Sequence, residues 1–144
     1  MKMSRKSQYA IKALFELAWR NHWQTATTRD IAAAQQIPAR FAEIILNELK
    51  HGGFVESRRG SDGGFMLVRD PAELMLLEII EYIDGPIAIG DTTGHAGARG
   101  DEALAHVWQD VNNAVERVCR STSIADLVEF ERAKRSECAL NYSI

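Results

Sequence analysis

The sequence predicts a mainly α-helical protein with a small β-wing, in the order of a winged helix-turn-helix followed by a long helix. Three helical patterns of apolar residues fill the first 51 positions, a glycine-rich basic hairpin follows, and a long amphipathic repeat lies beyond residue 100. We therefore divide the chain into a winged helix-turn-helix domain at 1–84, a glycine-rich loop at 85–100, a long helix and a following short helix at 101–135, and a flexible tail at 136–144.

The first helix is predicted to begin after Ser4, because a serine hydroxyl can cap the open first turn of a helix. Apolar residues then recur at helical spacing and form one stripe: Tyr9, Ala10, Ala13, Leu14, Leu17 and Ala18. Basic residues surround its start: Lys2, Arg5, Lys6 and Lys12. Positive charge opposes the macrodipole at a helix N-terminus, so such a cluster is more stable with a phosphate nearby.

The second and third helices are predicted at about 28–35 and 38–51, joined by a tight connection. Thr27 or Thr28 can cap the second helix. Pro38 is tolerated in the first turn of the third, because an N–H group would have no helical partner there. A glycine pair at 52–53 ends the third helix. Its buried side is expected to consist of Phe41, Ile44, Ile45 and Leu49.

Two short β-prone runs, 54–57 and 65–68, are predicted to form the hairpin. The segment between them contains two arginines, Arg58 and Arg59, and three glycines. This composition is typical of a flexible basic tip. Three helices followed by such a hairpin give the order of a winged helix-turn-helix.

A fourth helix is predicted at about 72–84, followed by a loop with four glycines between 86 and 100. The fifth helix is predicted at about 101–120, and a shorter one begins near Ser123. Apolar residues repeat along the fifth helix at three- and four-residue spacing: Leu104, Val107, Trp108, Val111, Val115 and Val118. This repeat is typical of the seam between paired helices and favours a homodimer; the alternative is packing against its own domain.

The charge of the chain is divided unevenly. Residues 1–69 contain 11 basic and 6 acidic residues, a net charge of +5, whereas residues 70–144 contain 6 and 14, a net charge of −8. The basic half indicates a polyanionic partner, with chance clustering as the alternative.

No apolar run approaches the ~20 residues of a membrane span, so we expect a cytoplasmic protein without a membrane partner. The sequence contains no nucleophile paired with a base, no phosphate-binding loop and no metal-ligand spacing. We therefore do not expect the protein to be an enzyme.

Short motifs follow one another in a fixed order through about residues 1–130. They are Met3-Ser4, Tyr9-Ala10, Asp30-Ile31-Ala32, Leu46-Asn47-Glu48-Leu49, Gly52-Gly53-Phe54-Val55, Arg59-Gly60, Gly63-Gly64-Phe65, Gly85-Pro86-Ile87, Leu104-Ala105-His106-Val107-Trp108 and Ser123-Ile124-Ala125-Asp126-Leu127. In this order and spacing, the chain resembles the Rrf2 family of bacterial winged-helix repressors. The resemblance implies a long dimerisation helix and sequence-specific binding to double-stranded DNA, usually as a repressor. A homodimer on the fifth helix would present two winged domains, so we expect an inverted-repeat operator.

The second helix of a helix-turn-helix enters the major groove, so the third predicted helix would read bases. Its polar face carries Arg40, Glu43 and Asn47. Arginine can bond guanine and glutamate can accept from cytosine N4. The resemblance places Glu43 at the glutamate that the family directs into the groove. The alternative is a solvated face with a helical charge pair.

The resemblance also assigns roles outside the third helix. Arg59 matches the arginine that the family inserts into the minor groove, and Arg58 would do the same or hold a phosphate; the alternative is a surface turn. Pro38 stands where the family commonly has a small hydroxyl residue and Phe41 where it has tyrosine, so some contacts are expected to be lost. Contacts to the DNA backbone are expected from Ser4, Arg5, Lys6 and Tyr9.

Many family members hold an iron–sulfur cluster on three cysteines between the fourth and fifth helices. Residues 86–103 of this chain contain no cysteine, and Cys119 and Cys138 lie elsewhere. His106 matches a histidine that assists the cluster in some relatives, but without those thiolates it fits a polar residue on the dimer helix better. We therefore expect no cofactor, neither an iron–sulfur cluster nor another metal.

The cysteine-poor pattern resembles the family branch that represses cysteine metabolism, which is understood to respond through the enzyme cysteine synthase. This resemblance suggests that Tyr142 and Ile144 bind that partner, because a C-terminal carboxylate with a branched apolar side chain suits a site for amino-acid carboxylates. A frayed terminus is the alternative. The alternative function for the whole chain is a protein-interaction module on a winged-helix scaffold, with little DNA binding of its own.

Overall fold

The structure of the chain is a computed structural model that describes residues 3–21 and 23–142. Its helices and strands follow the order expected of a winged helix-turn-helix with a long helix after it, which confirms the predicted fold class. The elements are α1 (Arg5–Asn21), α2 (Thr28–Gln35), α3 (Ala39–His51), β1 (Val55–Arg58), β2 (Gly64–Leu67), α4 (Leu76–Asp84), α5 (Asp101–Ser121) and α6 (Ile124–Tyr142).

Helix α1 is the centre of the core and packs against α2, α3, α4 and α6. Two small residues on its buried side, Ala10 and Ala13, let the neighbouring helices approach closely, while Leu14 and Leu17 fill the space between them. Each fully buried leucine or isoleucine stabilises the fold by about 1.5–3 kcal/mol relative to an exposed one. The predicted apolar stripe of the first helix is therefore the main contact surface of the domain.

The turn between α2 and α3 is short and held by backbone hydrogen bonds. Thr27 caps α2, since its side chain accepts a hydrogen bond from the Asp30 N–H at 3.1 Å. Gln36 ends α2 in the left-handed conformation with φ 54°, and the Ile37 N–H donates to the Ala32 carbonyl at 2.9 Å. This geometry fixes the angle between the two helices. Residue 38, a proline, precedes α3 as its N-cap without a capping side chain.

The wing is an antiparallel hairpin in which β1 pairs with β2, each strand lying one residue from its predicted bounds. A third segment joins them, because Ala26 exchanges two backbone hydrogen bonds with Phe65 at 2.8 and 2.9 Å. The Thr25 hydroxyl also donates to the Asp62 carbonyl at 2.6 Å. Gly64 has φ +141°, and a Cβ atom there would lie 2.5 Å from the Ala26 oxygen. Only glycine allows this close approach.

Helix α4 begins later than predicted, because residues 71–73 form a 3-10 turn and Leu74 is extended. The extended segment pairs with the start of α6: the Ile124 N–H donates to the Leu74 carbonyl and the Leu76 N–H to the Thr122 carbonyl, both at 2.9 Å. This pairing joins segments that are distant in sequence, so local helix signals do not reveal it. It fixes the base of α6 to the winged domain.

The prediction of a flexible tail from residue 136 is wrong for residues 136–142, because α6 continues through Tyr142. An i,i+4 ion pair between Arg135 Nε and Glu131 Oε1 at 2.9 Å supports this part of the helix. The guanidinium groups of Arg132 and Arg135 lie 4.7 and 5.4 Å from the ring centre of Trp19, which ties α6 to α1. No helix within the described parts of the chain is long and apolar enough to cross a membrane.

The predicted glycine-rich loop between α4 and α5 packs along α5. The Asn112 side chain accepts a hydrogen bond from the Ile89 N–H at 2.8 Å and donates one to the Ile89 carbonyl at 3.0 Å. A Cβ atom at Gly90, which has φ +68°, would lie 2.5 Å from the Trp108 indole. The loop therefore has a fixed path against α5.

Candidate nucleic-acid interface

The outward face of α3 presents the three polar residues that were predicted to read bases. Arg40, Glu43 and Asn47 are all exposed, and their spacing aligns them along one side of the helix. Across residues 3–21 and 23–142, the side chains of Glu43 and Asn47 have no hydrogen bond or ion pair. The Arg40 guanidinium lies 5.4 Å from the ring centre of Phe41. These groups are therefore free to bond to a molecule outside the chain.

Two apolar residues that were predicted to be buried also lie on the exposed surface of α3. Phe41 is 43% exposed and Ile44 is 55% exposed. Their predicted burial is wrong because α3 is apolar on more than one side, and the core meets a different side. The buried side of the helix consists of Ala42, Ile45, Leu46 and Leu49.

Two of the residues predicted to hold the DNA backbone are engaged within the protein. Ser4 caps α1, since its Oγ accepts a hydrogen bond from the Ser7 N–H at 3.0 Å, and its hydroxyl donates to the Asp84 carboxylate. Lys6 Nζ lies 2.6 Å from Glu48 Oε2, which links α1 to α3. Ser4 must release Asp84 to donate its hydroxyl to a phosphate, whereas the Lys6 ammonium has three donors and can bind a phosphate while it holds Glu48.

The other two predicted backbone contacts, Arg5 and Tyr9, differ in exposure. Arg5 is exposed and, in the part of the chain that the structure describes, has no hydrogen bond or ion pair. Tyr9 is half-buried, with its ring 6.4 Å from the Phe41 ring and 6.0 Å from Lys12 Nζ. Arg5 is therefore free to bind a phosphate, whereas Tyr9 also supports the packing of α1 on α3.

The Asp84 carboxylate connects the end of α4 to the start of α1. It accepts hydrogen bonds from the Ser4 N–H at 3.2 Å and the Ser7 hydroxyl at 2.7 Å, in addition to the Ser4 hydroxyl. Burial alone would raise the pKa of Asp84, but these hydrogen bonds and the charge of Lys6 lower the pKa below its ordinary value. A carboxylate is favourable at a helix N-terminus, so Asp84 stabilises the basic first turn of α1.

The wing places its two arginines differently. Arg58, at the end of β1, forms an exposed ion pair with Glu56 at 3.3 Å. Arg59 begins the turn, which is closed by a 3.0 Å hydrogen bond from the Gly63 N–H to the Gly60 carbonyl. Arg59 is exposed and has no ion pair to any described residue. Of the two side chains, Arg59 is therefore the freer one at the tip.

Arg29, which was not among the predicted contact residues, is exposed in the first turn of α2. One groove of about 620 Å³ runs from Arg59 to the start of α2 at Thr27, and another of about 500 Å³ runs from Arg29 to Glu43 on α3. The wing, α2 and α3 therefore form one continuous surface. A signal was present: a positive charge in the first turn of a helix opposes the macrodipole, as at α1.

Helix α5 carries an apolar face that the described residues leave partly uncovered. Of its 21 residues only Ala105 is buried. Three of the predicted seam residues, Leu104, Val107 and Val118, are 52%, 51% and 58% exposed, and Trp108, Val111 and Val115 are half-buried. The alternative that α5 packs its seam fully against its own domain does not agree with this exposure.

A family model described as an iron-dependent transcriptional regulator, Rrf2, matches residues 3–130. The chain belongs to the Rrf2 family. A relative from Mycobacterium tuberculosis, named as an HTH-type transcriptional regulator, is 35% identical over 133 residues, which cover 88% of this chain and 81% of the relative. The regulator IscR of Photorhabdus laumondii is 28% identical over 130 residues, 89% of this chain and 79% of the relative. These relatives of the chain are named as regulators, not as enzymes.

Solved structures of Rrf2 proteins have the same fold. CymR, the global cysteine regulator of Bacillus subtilis, superimposes with a TM-score of 0.79 at 26% identity, covering 90% of this chain and 98% of CymR. T. potens IscR superimposes with a TM-score of 0.75 at 26% identity, covering 91% of this chain and 88% of that protein. The likeness extends beyond the winged domain into the long helices.

The residues of this Rrf2 protein do not fit an iron–sulfur cluster. The loop between α4 and α5 contains no thiol, and the two cysteines lie apart from it, Cys119 half-buried in α5 and Cys138 exposed in α6. Burial raises the pKa of the Cys119 thiol, which leaves less thiolate to bind a soft metal. His106 is exposed and lies 3.8 Å from Asp110. Among the described residues, no three His, Cys, Asp or Glu side chains converge as metal ligands.

The predicted partner-binding residues lie at the end of the chain. Tyr142 is 90% exposed as the last residue of α6, and the preceding helix from residue 132 onward is exposed throughout. Ile144 lies outside the described residues. Tyr142 is therefore accessible to a partner, and binding of cysteine synthase stays a prediction.

Proposed function

We propose that this Rrf2 protein is a homodimeric transcription repressor that binds an inverted-repeat operator in a sequence-specific manner. The observation that supports it best is the continuous surface from the wing to α3. Three exposed basic side chains without ion pairs to described residues support it: Arg59 lines the first groove, Arg29 lines the second, and Arg40 lies on α3 between Ala39 and Glu43, which is one of the residues lining the second groove. Such a surface suits a polyanion, whereas the acidic second half of the chain does not.

Each part of this surface has a role in the proposal. Helix α3 lies in the major groove, where Arg40 bonds a guanine and Glu43 accepts from a cytosine N4. Asn47 continues the same contact row one turn further along the helix. Arg59 enters the minor groove, whose negative potential attracts arginine. Arg58 and Arg5 bind phosphates and fix the register of the protein on the duplex.

The homodimer in this proposal forms along the exposed apolar face of α5. Two such faces packed together would cover Leu104, Val107 and Val118 and present two winged domains. Twofold symmetry of the protein then requires an inverted repeat, with half-sites about one helical turn apart, roughly 34–36 Å, or a multiple of it. The oligomeric state in solution is measured by light scattering.

The proposed function is tested by incubating the purified protein with fragmented host DNA at moderate salt and sequencing the retained fragments. We expect one enriched inverted repeat, with an affinity that falls steeply as salt rises, because bound phosphates release counterions. An Arg40→Ala/Arg59→Ala variant serves as the matched control and is expected to lose the enrichment. Retention of random fragments by both proteins, or of none by either, would refute sequence-specific binding.

A regulatory partner is a second candidate, and the likeness to a global cysteine regulator favours it. We propose that the end of α6, with Tyr142 exposed and Ile144 beyond it, binds cysteine synthase. Binding is measured by calorimetry with the full chain and with a variant that lacks Ile144. Loss of binding in the variant is expected, and undiminished binding would exclude this segment.

We also propose that DNA binding needs no iron–sulfur cluster, because the donor set does not fit one. Anaerobic incubation with iron and sulfide is expected to leave the protein without the visible absorption of a cluster and with unchanged operator affinity. A stable cluster spectrum that survives gel filtration would contradict this part of the proposal.

A further inference from the structure

Ile44 occupies the middle of the outward face of α3. Arg40 lies one turn before it, Asn47 nearly one turn after it, and Glu43 beside it. Its side chain is 55% exposed and belongs to no hydrophobic cluster of the described residues. The most exposed large apolar side chain of the helix thus lies among its three polar residues.

The neighbouring aromatic residue is exposed for a different reason. Phe41 contacts two described groups, the Tyr9 ring at 6.4 Å and the Arg40 guanidinium at 5.4 Å. The Phe41 ring therefore supports the Arg40 guanidinium through a cation–π contact. No comparable partner within residues 3–21 and 23–142 accounts for Ile44, and isoleucine favours a helix less than alanine does. The exposed isoleucine therefore indicates a partner outside the chain.

That partner must offer a small apolar feature among hydrogen-bonding groups. The edge of a thymine in the major groove has this character, because its C5 methyl group lies beside the O4 acceptor. An apolar protein surface is a poorer match, since it would bury Arg40 and Glu43 without partners. Arg29, which lines the same groove as Glu43, adds a second positive charge beside this face and also favours nucleic acid.

We infer that Ile44 contacts the C5 methyl group of one thymine in each half-site and makes that base a determinant of specificity. This inference rests on the proposed function, because it requires α3 to lie in the major groove. The contact adds an apolar group to a face whose predicted base-reading residues are all polar. The half-site should therefore contain a thymine within the base pairs that Arg40 and Asn47 span.

The test replaces single thymines of the enriched operator by deoxyuridine, which removes only the methyl group and keeps the base pair. Binding of each duplex is measured by fluorescence anisotropy at fixed salt. Replacing the contacted thymine in one half-site is expected to weaken wild-type binding about fourfold, which is the effect of removing one methyl group from a contact. Replacement in both half-sites should weaken it roughly 15-fold, because the two contacts are independent.

The same duplexes are measured with Ile44→Ala and with Val68→Ala, a matched control that removes another half-exposed aliphatic side chain, outside α3. The uracil effect should disappear in Ile44→Ala and persist in Val68→Ala, and circular dichroism should show both variants folded. If the operator binds selectively but no uracil weakens wild-type binding, or the effect survives in Ile44→Ala, this inference fails alone. If no operator is selected at all, the proposed function fails and this inference with it.

Discussion

The winged domain and the C-terminal helices differ in where their apolar side chains lie. The buried cluster is drawn from α1 to α4 and the wing, and the helices after the loop contribute only Ile124 to it among the described residues. In α5, by contrast, an apolar face of similar length to α1 lies partly in solvent. The apolar side chains of the winged domain bury one another, whereas those on the apolar face of α5 remain partly exposed.

This difference separates two sources of stability. The winged domain is stabilised by contacts within one chain, so its folding should not depend on protein concentration. The apolar face of α5 gains burial only when another surface covers it, so its contribution should depend on concentration. The same chain thus combines a self-contained folded domain with a helix whose apolar face is partly exposed.

The largest effect is expected from charges on the α5 seam. A Val107→Glu/Val118→Glu variant places two carboxylates in the proposed interface and should be monomeric by light scattering. Its affinity for the two-site operator should fall by about 10²- to 10⁴-fold, because the half-sites are no longer bound by one linked molecule. Asn113→Glu adds charge on the opposite face of α5 and should remain dimeric. A dimeric double variant would place the interface elsewhere.

The two regions should also respond differently to loss of apolar volume. Ile31→Ala removes a fully buried side chain of the winged-domain core and should lower the free energy of unfolding by about 3 kcal/mol. Val118→Ala removes an exposed one and should change the stability of the monomer by less than about 0.5 kcal/mol. Urea titration of both variants, at a protein concentration low enough for light scattering to show monomers, tests the contrast. Equal losses would show that α5 is part of the same core.

Within the winged domain, reading and holding residues should be separable. Arg40→Ala is expected to weaken specific binding by about 1–3 kcal/mol and to relax the preference at one base pair. Arg5→Ala should weaken binding to all sequences alike and lower the slope of log affinity against log salt by about 1. Anisotropy titrations at several salt concentrations measure both. A change in base preference from Arg5→Ala would contradict its assignment to phosphate.

The smallest effect concerns the pH dependence of the α4–α1 contact. Because the folded pKa of Asp84 is lowered, its contribution is present above the unfolded value, near 3.8, and is lost as the pH falls through the folded pKa. Asp84→Asn should therefore be less stable than wild type at pH 7, and the difference should vanish in acid. Glu129→Gln, at an exposed residue on α6, is the control. A difference that persists at pH 2 would mean that the charge of Asp84 is not responsible.

The order of elements was predictable because periodicity, caps and glycines are local signals. The side of α3 that is buried was not, because Phe41 and Ile44 satisfy helical spacing as well as Ala42 and Leu46 do. Only the position of α1 decides between the two sides, and that position is a tertiary property. The same limit placed Ile44 among the residues predicted to be buried, although its side chain is exposed.

The second half was predicted less well, for related reasons. No apolar repeat continues along α6 beyond Phe130, yet the helix persists to Tyr142 on helix-forming residues and an ion pair.

The engagement of Ser4 and Lys6 within the protein could not be predicted either, because their partners Asp84 and Glu48 come from distant elements. Residue identity indicated the chemistry of these side chains but not their neighbours.

The tie between the wing and the turn before α2 has a geometric consequence. The Ala26–Phe65 bridge and the Thr25–Asp62 hydrogen bond join the hairpin to the segment that leads into α2. We therefore expect the distance from Arg59 to Arg40 to be set when the domain folds. In the proposed dimer, the spacing between half-sites is set by a different element, α5. We therefore expect two distances to be set independently: the distance between the contacts within one half-site, which the bridge fixes, and the spacing between the two half-sites, which depends on α5. A change along α5 should then shift the operator spacing without altering which bases are contacted.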